Sequence, residues 1–461
     1  MSPSNSGNTQ TYTSPNQPSS GGHPELSVTA ASTYHGLVQS SHSGVTPDSN
    51  PLLSDESSID QAKINLLRLL VTKYTIAFPH RPIVLHPRKD DGDVVLVTGT
   101  TGMFGCHILA QLSLDPSVRL VYALNRASNG LVERHLESIK LQGLLAECLT
   151  SPKFRIIGTD ISQPNLGLSP ELYEEIRDSV THIIHNVLQA TRNLVDLALS
   201  SRCLEPPSIM FVSSVSVFRR PYKLPLAPEV AINDPATCVG WGYSESKWVA
   251  ESTLLAAAEE TGLRVNIVRV GQLCGAKNGH WNEKEALSAI VKSAYSVHCL
   301  PDVPGLGLVS WIPAYEAAKA LIEMRDSTEQ VLHLANPHPQ PWRTFFDPLS
   351  HELDVPLVPY DTWVSALEAD INDPSMTLLD HLKRNPALRL LNWFQHVDMD
   401  EEKEPLGLIP PSAIKASRVV PWLNDVEIGE NMVTRWLGAW RETGFLPSAS
   451  HDRSRKVVSK L

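Results

Sequence analysis

The chain has 461 residues, a formal net charge of −11 and 42% apolar content, which gives room for one large or two moderate globular domains. An acidic balance without a basic block argues against nucleic-acid binding, and no apolar run approaches the roughly 18 to 20 residues that cross a bilayer. Cys106, Cys148, Cys203, Cys238, Cys274 and Cys299 form no CxxC pair and lack histidines at metal spacing, so they read as buried thiols with no metal site.

Residues 1–57 are dense in Ser, Pro, Gly, Thr and Asn, which bury too little to offset their ordering entropy, so a disordered segment is expected there. They carry neither the apolar core of a secretory leader nor the Arg-rich bias of a transit peptide. From 59 to 74, Ile64, Leu67, Leu70 and Val71 recur at helical spacing and predict an amphipathic helix. Pro79, Pro82 and Pro87 then stiffen a linker, so 58–92 reads as helix and linker ahead of the core.

Alternating strand and helix patterns predict an α/β Rossmann domain, a doubly wound parallel sheet, over 93–270. Residues 94–97 are a short β-branched run typical of a buried parallel strand. Gly99, Gly102 and Gly105 follow it. At this spacing the first glycine permits a tight turn, the second lets backbone approach a pyrophosphate, and the third lets the next helix pack closely. That helix, about 103–114, aims its free amides and dipole at the phosphates. Thr98, Gly99, Thr101, Gly102, Met103 and Gly105 are therefore the candidate cradle.

The next strand, about 119–124, ends in Asn125-Arg126. An arginine here suits the 2′-phosphate of NADPH, where an acidic residue would suit NADH; Ser128 and Arg134 stand nearby in sequence. The plain alternative is a solvated arginine at a strand end. Asp160, after the apolar run 154–157, either holds the adenine amine or caps the following segment. His182 and His185 lie in a strand-like stretch and read as packing residues.

Ser213-Ser214 close the apolar run 209–212, and in a parallel sheet the carboxyl ends of strands face the ligand crevice. Tyr243 and Lys247, four apart, share one helix face. A nearby ammonium lowers a tyrosine pKa from about 10 toward the working range, and the same lysine can bond the nicotinamide ribose. The expected chemistry is hydride transfer from NADPH to a carbonyl carbon. Tyr243 donates the proton, Ser214 (rather than Ser213 or Ser216) steadies the oxyanion, and Lys247 tunes the phenol.

After 271 the pattern loosens, and a smaller C-terminal substrate-binding region is expected over 271–445. Eight of the ten tryptophans lie there. Most are expected to fill a core, with Trp281 and Trp311 as candidate pocket walls. The tail, 446–461, ends in Ser459-Lys460-Leu461, which matches the peroxisomal address read by an import receptor at a free C-terminus, so a peroxisomal location is expected, with a cytoplasmic one as the alternative.

Together the glycine loop, Ser214, Tyr243 and Lys247 resemble an extended short-chain dehydrogenase/reductase. The stretches 121–126, 181–186, 270–275, 279–285, 300–302, 311–313 and 333–337 are similar to the thioester reductase domain of fungal adenylate-forming and aminoadipate-reductase-type enzymes. This resemblance implies an NADPH-dependent reductase that releases a carrier-bound acyl chain as an aldehyde or alcohol, in a secondary-metabolite pathway. Three departures stand out. There is no adenylation domain or carrier motif, so a thioester from a separate carrier protein or CoA is expected. The connection after Asn186 is shorter than in the family, where a longer loop helps wall the pocket. Ala314-Tyr315 replaces a valine-aspartate pair after the Trp-Ile-Pro stretch. Two other readings use the same residues: a reductase of free aldehydes or ketones, and a non-catalytic dinucleotide-binding scaffold.

Overall fold

The computed structural model describes residues 52–88, 91–146, 149, 151–187, 190–220, 225–303, 307–397 and 403–448. Most of the expected N-terminal disordered segment, Cys148 and the Ser459-Lys460-Leu461 tripeptide lie outside the described residues. Helix α1 (Leu52–Thr75) precedes β1 (Asp93–Thr98), α2 (Met103–Leu114), β2 (Val118–Arg126), α3 (Leu131–Leu141) and β3 (Phe154–Thr159). Next come α4 (Pro170–Ser179), β4 (His182–His185), α5 (Thr191–Ser200), β5 (Ser208–Ser214), α6 (Gly242–Thr261) and β6 (Val265–Val270). Further on lie α7 (Ala286–Val297), α8 (Ala314–Glu323), β7 (Val331–Leu334), α9 (Arg343–Leu353), α10 (Tyr360–Ile371), α11 (Ile414–Val419) and α12 (Glu430–Glu442).

The seven strands form one parallel sheet in the order β3-β2-β1-β4-β5-β6-β7. Strand alternation divides the core. Val95 and Val97 of β1 and Val121 and Ala123 of β2 face the layer of α2, α8 and α11, where Ile108, Leu112, Leu321 and Ala416 are buried. Val94, Leu96, Tyr122 and Leu124 face the opposite layer, which holds Ile176, Leu194 and Leu254. Chain order reverses between β1 and β4, so their carboxyl ends open the crevice in which such folds bind ligands.

Three sequence expectations need correction. The sheet does not end at Val270: β7 adds a seventh strand beside β6, and α8 packs beneath the first half of the sheet. Residues 314–334 and 413–423 thus belong to the Rossmann core rather than to a separate C-terminal region. The helix starts at Leu52, inside the stretch expected to be disordered. Leu446, assigned to the tail, is 2% exposed and donates its amide to Trp440 O at 2.9 Å.

The rest of the C-terminal half makes its own core around Trp281, Trp342, Trp363, Trp436 and Trp440. Within the Rossmann core, Glu229 fastens α11 to β7 by accepting the amides of His333, Lys415 and Ala416 at 2.9, 2.5 and 3.0 Å. The N-terminal helix docks through Leu67 against the cluster holding Trp248, and Asp60 takes a bidentate pair from Arg220 at 2.5 and 2.9 Å. No described helix is long and apolar enough to cross a membrane.

Candidate active site

The glycine loop leaves β1 and enters α2 as the spacing predicts. Gly99 has φ +73°, a left-handed conformation that costs other residues roughly 1–2 kcal/mol. A Cβ on Gly105 would lie 2.2 Å from the Gly99 carbonyl oxygen, so only glycine lets α2 close onto the turn. Gly102 differs. Its φ is −78°, and a Cβ there would meet only Gly99 O, at 3.6 Å. Gly102 caps α2 with no side-chain hydrogen bond, leaving first-turn amides to an anion. The loop is therefore shaped for a pyrophosphate.

Asn125 fastens this loop, a role its sequence position did not reveal. Its amide donates to Thr100 Oγ1 at 2.7 Å and its oxygen accepts the Thr101 amide at 3.3 Å. Thr100 Oγ1 in turn meets His135 Nε2 at 2.8 Å. Thr98, expected in the cradle, is 1% exposed and its hydroxyl is engaged within the fold, 3.0 Å from His185 Nδ1 and 3.1 Å from the Asn186 amide that donates to it. Burial, aided by the Lys247 charge, pushes the His185 pKa down to about 3, so this imidazole is neutral at working pH.

Arg126 is exposed at the end of β2, and Arg134 reaches back to its carbonyl at 3.4 Å. Asp160 caps a turn: its carboxylate accepts from Ser162 Oγ at 2.6 Å, Ser162 N at 3.0 Å and Gln163 Nε2 at 3.3 Å. These bonds hold its pKa below the usual carboxylate value, with the Arg126 charge adding to them. The capping alternative is thus the arrangement present. After β4 the short connection brings Val187 over the loop, with its Cγ1 2.6 Å from where a Cβ of Gly99 would sit.

At the other side of the crevice, α6 starts at Gly242 and presents Tyr243 in its first turn, 38% exposed. The phenol hydrogen-bonds Ser214 at the end of β5. Ser213 points the other way and donates to Glu251 Oε1 at 2.5 Å, and Ser216 is buried under the strand end. Ser214, Tyr243 and Lys247 thus converge, with the Lys247 ammonium 5.6 Å from the Tyr243 ring centre.

The expected electrostatics need correction. Lys247 is 5% exposed and donates to the Val212 carbonyl at 2.6 Å. Burial lowers its pKa to about 7, with Glu251 pulling it back up. Tyr243 is not acidified. Burial raises its pKa above 10, the Ser214 hydrogen bond lowers it, and the Glu285 carboxylate raises it. A strand carbonyl, closer than the phenol, captures the ammonium.

Two further groups were hidden from sequence reasoning. Glu251, one turn beyond Lys247, pairs with Arg269 of β6 at 2.8 Å, and both side chains are almost fully buried. Glu285, at the start of α7, accepts from Trp281 Nε1 at 2.7 Å and Gln272 Nε2 at 3.0 Å. Trp281 and Trp311, the expected pocket walls, are 0% and 5% exposed and pack in the C-terminal core.

A glycine cradle at the reversal of strand order, facing a hydroxyl, a phenol and an amine, defines an oxidoreductase that works with a nicotinamide dinucleotide. Comparison with known proteins narrows the class. The family model described as "Male sterility protein" matches residues 97–187 and 186–321, two segments that meet at the shortened connection. An adenylate-forming reductase of Heterobasidion annosum is 34% identical over 446 residues, covering 87% of this chain and 40% of that protein. A 3-methylorcinaldehyde synthase of Talaromyces stipitatus is 30% identical over 403 residues, covering 79% of this chain and 14% of that protein. The chain therefore spans less than half the length of these curated relatives.

Among solved structures, the terminal R domain of the myxalamid PKS-NRPS pathway superposes with a TM-score of 0.68 at 22% identity, covering 83% of this chain and all of that one. The reductase domain of a nonribosomal peptide synthetase from Mycobacterium tuberculosis gives 0.62 at 18% identity, covering 82% and 96%. The chain belongs to the extended short-chain dehydrogenase/reductases, as a reductase domain of the thioester reductase type.

Proposed function

We propose that this chain reduces an acyl thioester, carrier-bound or as a CoA ester, with NADPH, releasing an aldehyde or alcohol in a secondary-metabolite pathway. The observation that carries the reading is the convergence of Ser214, Tyr243 and Lys247 beside the glycine loop. The loop fits a dinucleotide, because Gly99 and Gly105 occupy positions that a Cβ would fill. Gly99, Thr101, Gly102, Met103 and Gly105 would hold its pyrophosphate. Arg126 and Arg134 would hold the 2′-phosphate, and Tyr243 and Lys247 would face the nicotinamide ribose.

When bound, the cofactor supplies a hydride to the thioester carbonyl carbon. Tyr243 passes its phenolic proton to the carbonyl oxygen, and its raised pKa keeps that proton in place until negative charge develops there. Ser214 donates a hydrogen bond to the same oxygen. The resulting hemithioacetal re-forms its C=O as the carbon–sulfur bond breaks, and the sulfur leaves as thiol with the hydroxyl proton. Lys247, held by Val212 O, positions the phenol rather than acidifying it.

Replacing Tyr243 by Phe tests the assignment. Turnover should fall by about 100-fold or more, with nucleotide affinity nearly unchanged by calorimetry. Unchanged turnover would remove Tyr243 as the acid. Peroxisomal import through Ser459-Lys460-Leu461 is part of the same proposal. A fluorescent fusion ending in this tripeptide should concentrate in peroxisomes and spread through the cytosol when Leu461 is deleted; equal distribution of the two would refute it.

A further inference from the structure

Trp241 sits two residues before the catalytic phenol, and it is the one exposed tryptophan of the ten, at 47%. Exposed indoles are uncommon because the ring has a large apolar surface to bury. This one is held in place. It caps α6 with an extended backbone, its carbonyl accepts the Glu245 amide at 3.0 Å, and Glu245 Oε1 accepts the Gly240 amide at 3.0 Å. Its ring centre lies 5.1 Å from that of Tyr243 at 44°, and the Arg219 guanidinium stands 5.5 Å from the indole.

From this placement we infer that Trp241, with Arg219, forms an acyl subsite selective for planar aromatic acyl groups. The inference rests on the thioester reading above, because the reacting carbonyl must come within hydrogen-bonding distance of the Tyr243 hydroxyl. The indole, whose ring centre lies 5.1 Å from that of the phenol, then stands beside the group attached to that carbonyl. A flat aromatic ring in conjugation with the carbonyl presents a face to such a platform, and offset or tilted aromatic pairs gain beyond their buried area. The guanidinium on the indole adds a cation for an electron-rich ring. A flexible alkyl chain gains neither. The name of one relative, a 3-methylorcinaldehyde synthase, denotes an aromatic aldehyde and agrees with this class.

The test uses the full chain, wild type and the W241A, W241L and W241F variants, with benzoyl-pantetheine and octanoyl-pantetheine as probes. Binding of each is measured by calorimetry in the presence of NADP⁺, and reduction is measured separately. We expect W241A and W241L to lower the benzoyl-to-octanoyl affinity ratio by about tenfold, and W241F to keep most of it. Two leucine or alanine variants with native melting curves exclude misfolding as the cause. An unchanged ratio, equal losses for both probes, or no binding of benzoyl-pantetheine to the wild type overturns the subsite. If neither probe is reduced but the ratio shifts as expected, the subsite holds and the thioester reading fails. If both are reduced and the ratio is constant, the reverse is true.

Discussion

Lys247 Nζ donates to Val212 O at 2.6 Å, joining the helix of the active site to the end of β5 through a buried ammonium. Burial lowers the Lys247 pKa from 10.5 to about 7, so the unfolded chain binds more protons than the folded one between those values. Stability therefore carries a penalty from this residue at neutral pH, and the penalty fades as pH rises through the 7–10.5 window.

Replacing Lys247 by Met should relieve that penalty. The melting temperature should rise by about 2–4 °C at pH 7 and change little near pH 10, while turnover is lost. A scan of melting temperature against pH checks it; a uniform drop at all pH values would contradict the assignment.

Gly105 and Gly102 should separate by variant. Gly105→Ala drives a Cβ into the Gly99 carbonyl and should cost about 3 kcal/mol or more. Gly102→Ala meets only an ordinary contact, so its melting temperature should stay within about 2 °C while its nucleotide affinity falls. Chemical denaturation and calorimetry read the two effects.

Arg126→Ala should raise the Kd for NADPH by about tenfold or more and that for NADH far less. Equal losses for both nucleotides would remove the 2′-phosphate role.

Glu251 and Arg269 are a buried pair, so breaking it strands a guanidinium that is 0% exposed. Glu251→Gln should destabilise the fold by about 3–5 kcal/mol, and pairing it with Arg269→Met should restore part of that. No recovery in the double variant would show that Glu251 acts through Ser213 instead, to which it is bonded at 2.5 Å.

Sequence pattern located the early strands of the sheet and the glycine turn between β1 and α2 because each is local. A short β-branched run, three glycines at fixed offsets and a tyrosine-lysine pair on one helix face are read without tertiary context. What escaped depends on contacts across the sheet. β7 is a four-residue strand recognisable only by its pairing with Ile267 to Val270. Asn125, Glu251 and Arg269 act through partners 18 to 25 residues away. Trp281 and Trp241 were told apart by burial alone, which no residue type encodes. The lysine-to-phenol electrostatics failed because spacing places the amine near the ring without saying which carbonyl it will choose.

The most direct measurement follows NADPH absorbance and free thiol together as the purified chain acts on an acyl-pantetheine thioester. NADPH consumption with stoichiometric thiol release is expected, one NADPH per thiol for an aldehyde product or two for an alcohol, with loss of both signals in Tyr243→Phe. NADPH consumption with free aldehydes alone, or none with any acyl thioester despite nucleotide binding, would contradict it.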